Sequence, residues 1–297
     1  MRLALLKHTK YRMYILGYIF IAPLLLSSLI FLFVPMIISL YWSFTDFNGV
    51  SKPAFVGLKN YAALFSDSAF LWALRNTTVY VFFGMLIGPL CGLITALFLN
   101  TKIRGQMLFR TAYFLPVMTS TIVVAMIWRL LYNENGIFNF IITCLDGQPV
   151  GWLSNPKIVL YSITSASIWQ GFGFETVVFL AALQNIPREH YEAATIDGAS
   201  AFTQFRVITF PALRPVFFFV YCVGLIGSFQ VFDLPYALMQ STPNPGMSYI
   251  TLVYMLFSKF RRLELGYASA IAYVLFCILV LISFIQWYVE QRGEKND

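Results

Sequence analysis

Charge is scarce in this chain. Of its 297 residues only 11% are Asp, Glu, Lys or Arg, against roughly 25% in a soluble domain, while 59% are hydrophobic. A water-facing globule is excluded by that proportion. Metal and thiol chemistry lack material too. The four cysteines, Cys91, Cys144, Cys222 and Cys277, include no C-x-x-C pair, and three lie in apolar runs, so they read as small packing residues. His8 and His190 are the only histidines, too few for a multi-His metal site. No G-x-x-x-x-G-K-[ST] occurs and no Gly is followed by Lys, so the phosphate-cradling loop of a P-loop ATPase is missing. If ATP drives this protein, ATP and Mg are bound by another chain, and no cofactor is expected here. Internal repeats, the mark of many secondary transporters, are not found. The net charge of +7 comes from Lys and Arg placed between apolar blocks, which fits loops beside anionic lipid and argues against nucleic acid.

What is present is a series of long apolar blocks. Five stretches, 13–45, 76–101, 111–128, 215–232 and 265–289, carry no charge over a membrane-spanning length, and a sixth, 158–182, is interrupted by Glu175 alone. About 20 residues, and no fewer than about 17, cross the hydrocarbon as a helix. An all-α membrane protein of six transmembrane helices is expected. Residues 1–12 form an N-terminal segment, 13–289 the membrane domain and 290–297 a tail. The first stretch is too long for the apolar part of a signal peptide and reads as a retained span. With an even number of spans both termini share a side. Placing them in the cytoplasm puts twelve of the 20 Lys and Arg inside, which sets that orientation. Outer loops then hold the turn sequences Asn48-Gly49, Asn135-Gly136, Asp146-Gly147-Gln148-Pro149 and Pro243-Asn244-Pro245-Gly246. Tyr41, Trp42, Trp128, Tyr132, Trp287 and Tyr288 lie near span ends and read as interfacial belts, with Arg129 reaching outward from the third span. In the second span Gly84, Gly88, Gly92 and Ala96 recur every four residues; such a stripe serves close packing inside the chain or a seam against a second subunit.

The longest inner loop, 187–215, has its own helical signals. Pro187 suits the first turn of a helix, Glu189 and Glu192 favour its N-terminal half, and Gly198 suits its stop. Ser200 suits the cap of a second short helix that Pro211 would end, with Phe202, Phe205 and Ile208 on one side. Within it, Glu192-Ala193-Ala194 is followed by three residues, Gly198, then Ile208 and Pro211. This order resembles the EAA loop of ABC importer permeases, and over nearly the whole chain the likeness is to the carbohydrate permeases. Further matching stretches are Asn76-Thr77, Ile127-Trp128-Arg129-Leu130-Leu131-Tyr132, Gly136-Ile137-Phe138-Asn139, Ile168-Trp169-Gln170-Gly171-Phe172-Gly173-Phe174, Gly227-Ser228-Phe229-Gln230-Val231-Phe232-Asp233 and Gly266-Tyr267-Ala268-Ser269-Ala270. The resemblance implies the type I ABC importer transmembrane domain. It also implies a bacterial plasma (inner) membrane location, a homologous second permease subunit, two ABC ATPase subunits, an extracytoplasmic solute-binding protein and a sugar-like substrate. The end Trp287-Tyr288-Val289-Glu290 resembles one of the two sugar permeases more than the other, which implies a heterodimer. Glu192, Ala193, Ala194, Asp197, Gly198 and Ala199 would couple to the ATPase, which holds the enzymatic activity.

Glu175 is a functional candidate because an ionisable group in a span is costly unless paired or wet. Gly171, Phe174 and Glu175 share one helical face, with Gln170 nearby. By the resemblance, Gln170, Gly171 and Phe174 approach a transported sugar, and Gly227, Gln230 and Phe232 match solute-lining positions, with Val223 one turn earlier. Amide and aromatic groups together suit a sugar. Glu175 replaces the usual neutral polar residue, which fits a solute with amino or hydroxyl donors; it also serves equally as a helix-packing hydrogen-bond former. An ion-coupled secondary transporter using Glu175 is the alternative. An intramembrane enzyme would need a second acid, a Ser/Lys pair or zinc ligands, and none accompanies Glu175.

Overall fold

The computed structural model describes residues 2–101, 105–240, 242 and 245–294. Lys102, Arg104 and Lys295, which are among the twelve inner Lys and Arg counted above, and Pro243-Asn244 of the last outer turn sequence lie outside them. In chain order the helices are α1 (Arg2–Ser28), α2 (Val34–Ser43), α3 (Lys59–Ser66), α4 (Ser68–Leu99), α5 (Gln106–Met118), α6 (Thr121–Leu131) and α7 (Ile137–Cys144). They continue as α8 (Val159–Gln184), α9 (Arg188–Ile196), α10 (Ala201–Gln204), α11 (Phe210–Phe229), α12 (Asp233–Met239), α13 (Leu252–Arg261) and α14 (Leu265–Glu294). Among the described residues the one pairing of extended backbone is an antiparallel bridge between Thr45 and Phe55.

Five stretches are long and apolar enough to cross a membrane: Met13–Ser43, Ser68–Leu99, Val159–Gln184, Ala201–Phe229 and Leu265–Gln291. The third expected span departs from expectation. Met107–Met118 and Thr121–Leu131 are bent by 104° at a short break, so they are one span only if the bent pair is counted together. Pro116 withholds a backbone N–H in the last turn of α5, and Thr119 and Ser120 are extended (ψ 137° and 136°). A count of uncharged residues does not register that break.

Two prolines are accommodated by widened turns. Leu29–Phe33 and Phe205–Thr209 are π-helical, and Pro35 and Pro211 stand two residues after their ends. In a regular helix a proline ring collides with the carbonyl four residues back; a π turn just before it moves that carbonyl away. Pro211 therefore does not end the second helix of the 187–215 loop, and the chain runs on as one helix over Ala201–Phe229.

The chain forms two compact units. One comprises the residues up to Leu64 with Lys259–Tyr273. In it Asn60 donates to the carbonyls of Ser43 and Thr45 (2.9 and 2.8 Å), and Tyr61 donates to Ser43 Oγ at 2.8 Å. Gly266 donates to the Phe47 carbonyl at 2.9 Å, and a Cβ there would collide with the Thr45 carbonyl oxygen, so only glycine fits. Most side chains between Met13 and Tyr41 are exposed, Phe20 at 82%, which suits lipid or another subunit.

The other unit comprises Phe65–Ser258 with the residues from Val274 onward. Its centre is the pair α4 and α8, with α11 packed on both and α5 on α8. The core holds Leu93, Ala96, Leu99, Phe179, Leu180, Leu183, Leu213 and Val220. Polar residues lock the loops. Asn76 donates to the carbonyls of Met247 and Ile250 (2.7 and 3.0 Å), and Thr77 Oγ1 accepts from Leu252 N at 2.9 Å. Asn139 accepts from Val150 N and Trp152 Nε1 and donates to the Val150 carbonyl. Trp128 and Tyr132 join Phe138, Trp152 and Trp169 in an aromatic cluster. Arg129 donates to the Ala237 carbonyl and ties α6 to α12.

Candidate functional site

The close approach of α4 and α8 follows from the glycine stripe. A Cβ on Gly92 would lie 2.7 Å from Glu175 Cβ, and one on Gly88 would lie 3.2 Å from both Glu175 carboxylate oxygens. The stripe thus packs within the chain, and its notch receives Glu175. On the other side of α8, a Cβ on Gly173 would collide with the Tyr113 carbonyl, so α5 comes equally near.

Beside this seam, where Gly84, Gly88 and Glu175 also border the space, the helices part around a cavity of about 420 Å³. That is within the range of small-ligand sites, roughly 300–1,000 Å³. Its wall contains Gln170, Gly171, Phe174 and Glu175 from α8, and Gly227, Gln230 and Phe232 from the end of α11 and the turn after it. The structure brings together all seven residues singled out from the sequence. Val223 is not on the wall; it is 45% exposed elsewhere on α11. A Cβ added at Gly171 or at Gly227 would meet nothing within 4 Å, so these two leave open space where other residues would fill it.

Sequence reading missed the contributions of α4 and α6. Tyr80 lines the cavity with its hydroxyl hydrogen-bonded to Ser167 Oγ, and Thr121 accepts a hydrogen bond from Gln170 Nε2 at 3.3 Å. Thr121 reaches the wall only because of the bend between α5 and α6, which no local pattern announced. Ser228 and Asp233 complete the polar lining. Oε2 of Glu175 is enclosed and has no hydrogen-bond partner.

A second feature lies in the 187–215 loop. Helix α9 ends in a Schellman arrangement: Gly198 N donates to Thr195 O at 3.1 Å, Ala199 N to Ala194 O at 2.9 Å, and Gly198 has φ +78°. Ser200 then caps the next helix by accepting from Thr203 N. Glu192, Ala193, Asp197 and Gly198 are exposed and Ala194 and Ala199 half-buried, so α9 presents a free face. Ile196 is 87% and Phe202 75% exposed, while Phe205 and Ile208 are half-buried. Tyr191 and Thr209 share a hydrogen bond at 2.9 Å, and Gln204 donates to Thr195 Oγ1 and the Ala199 carbonyl. Together these bolt α9 to the base of the Ala201–Phe229 helix.

Residues 88–294 match the family model described as binding-protein-dependent transport system inner membrane component. The chain belongs to this permease family. It is 37% identical to the arabinooligosaccharides transport system permease protein AraP of Bacillus subtilis (strain 168), over 90% of this chain and 86% of that one. With the trehalose/maltose transport system permease protein MalF of Thermococcus litoralis it shares 34% identity, over 97% of both chains. Its fold matches a chain of a bacterial ABC transporter involved in import of the acidic polysaccharide alginate, with TM-score 0.86 and 23% identity over 97% of this chain and 98% of that one. The permease is therefore a multi-pass, pore-forming transport subunit of an ABC importer and not itself an enzyme. Membership of this family leaves the ion-coupled alternative without support.

Proposed function

We propose that the 420 Å³ cavity is this permease's share of the path for a sugar or sugar-like solute, and that the exposed face of α9 is where an ATPase subunit pushes. One observation carries the first part: the amide, hydroxyl and aromatic groups that suit a sugar converge on a single cavity whose floor is kept open by Gly171 and Gly227. The solutes in the relatives' names, arabinooligosaccharides, trehalose and maltose, and lactose, support the sugar class. In the assembled importer a homologous second permease supplies the facing half of the path. Two ATPase subunits bind ATP and Mg, and an extracytoplasmic binding protein delivers the solute; one alginate transporter of this fold has been crystallised with its periplasmic protein. The chain sits in a bacterial inner membrane with both termini in the cytoplasm, which puts α9 on the ATPase side. Glu192 pairs there with a basic residue of the ATPase, while Ala193 and Ala194 let the helix sit close.

Cavity filling tests this reading. Gly227→Leu adds a side chain into open space, so the permease should still assemble with its partners while sugar uptake into vesicles falls at least tenfold. Normal uptake by an assembled Gly227→Leu transporter would remove the cavity from the solute path.

A further inference from the structure

We propose that this cavity selects carbohydrates carrying a positively charged amine, with Glu175 as the residue that sets the preference. The inference rests on the reading of the cavity as the solute site, and it names the class of solute. Two acids, Glu175 and Asp233, lie on the wall, and among the described lining residues there is no Lys, Arg or His. Oε2 of Glu175 is shut off from solvent and accepts no hydrogen bond. Across from the carboxylate stands Gly88, which has no side chain to donate one.

A carboxylate placed this way inside a span is costly unless something neutralises it. No Lys, Arg or His among the described residues on this wall does, and an amine on the solute would supply the compensating charge. An ammonium brings three donors and forms the short charge-assisted bond that a carboxylate favours. The rest of the cavity is already suited to a sugar ring. Gln170, Ser228 and the Tyr80–Ser167 pair offer hydrogen bonds to hydroxyls, and Phe174 and Phe232 offer faces that also attract a cation. A neutral sugar would be served as well by Gln at position 175, which has the same shape. A carboxylated sugar would be repelled by two like charges.

The test uses the complex that co-purifies with this chain, in nanodiscs, without the solute-binding protein so that its own selectivity does not intervene. Three probes of similar shape are compared by equilibrium binding: a β-1,4-linked glucosamine disaccharide, cellobiose and digalacturonate. The expected result is at least tenfold tighter binding of the glucosamine disaccharide than of cellobiose, and none of digalacturonate. In Glu175→Gln the ratio should fall to near one. Equal affinity of the wild-type complex for the amine and the neutral sugar overturns the charge preference but leaves the sugar path standing. An amine preference that survives Glu175→Gln overturns the assignment to Glu175. If neither sugar binds, or if binding is indifferent to Gly227→Leu, the sugar path fails and the proposal with it. Should Glu175→Gln not assemble, Glu175→Asn provides the same comparison, and the wild-type ratio needs neither variant.

Discussion

Gly171 lies on the cavity wall and Gly92 against Glu175, yet they tolerate side chains differently. At Gly92 a Cβ meets Glu175 Cβ at 2.7 Å and two backbone atoms at 3.2 Å, none of which is the free end of a flexible chain. At Gly171 it meets nothing within 4 Å. Both changes to Ala carry the same helix-propensity gain of about 1 kcal/mol, so the difference between them is steric. Gly92→Ala should be less stable than Gly171→Ala by about 1–3 kcal/mol, the usual range for overpacking, read as a lower Tm in detergent. Equal Tm values would mean that α4 and α8 are not held this close. Sequence alone showed that the glycines recur every four residues; it did not show that they face Glu175, because a stripe has no partner until the helices pack.

At the scale of elements, α9 transmits force only if it is stiffly joined to the helix that reaches the cavity. Gly198 and the Tyr191–Thr209 hydrogen bond make that joint. Gly198→Val forces a β-branched residue into φ +78°, which costs about 1–2 kcal/mol and should reorient or fray the end of α9. The assay is co-purification with the ATPase, which should weaken while the chain still inserts into the membrane. Tyr191→Phe removes one hydrogen bond worth about 0.5–1.5 kcal/mol and keeps the ring. Sugar imported per ATP hydrolysed should fall, and Thr209→Val should do the same, with no further loss in the double variant. Additive losses would show that the two residues act separately. The start and stop of α9 were legible in Pro187 and Gly198, since capping is a local matter. The run of helix past Pro211 was not, because a proline reads as a stop unless the wide turn before it is seen.

For the whole molecule, the work is divided, on the proposed reading, between a part that binds solute and a part that meets a motor. Glu192→Arg changes only the exposed face of α9. It should leave membrane insertion intact and uncouple ATP hydrolysis from transport, so that hydrolysis continues while uptake falls more than tenfold. Unchanged uptake would deny α9 its coupling role. The number of apolar blocks gave the architecture almost directly, since lipid demands uncharged helices of a set length wherever the chain crosses. The third crossing was the exception: its 104° bend lies in two extended residues, and lack of charge is indifferent to backbone angles.

Composition, span length and the spacing from Glu192 to Pro211 were enough to determine a lipid-embedded helical permease and the two-helix loop proposed to meet its motor, because each depends on residues close together in the chain. Seven wall residues were likewise legible, as they fall in two short stretches. Only the tertiary structure decided that these stretches share one cavity, that Tyr80 and Thr121 complete it, and that Glu175 lies in a notch with no donor to meet it. Those are relations between helices far apart in sequence, and they are set by how closely backbones approach, which no single helix specifies.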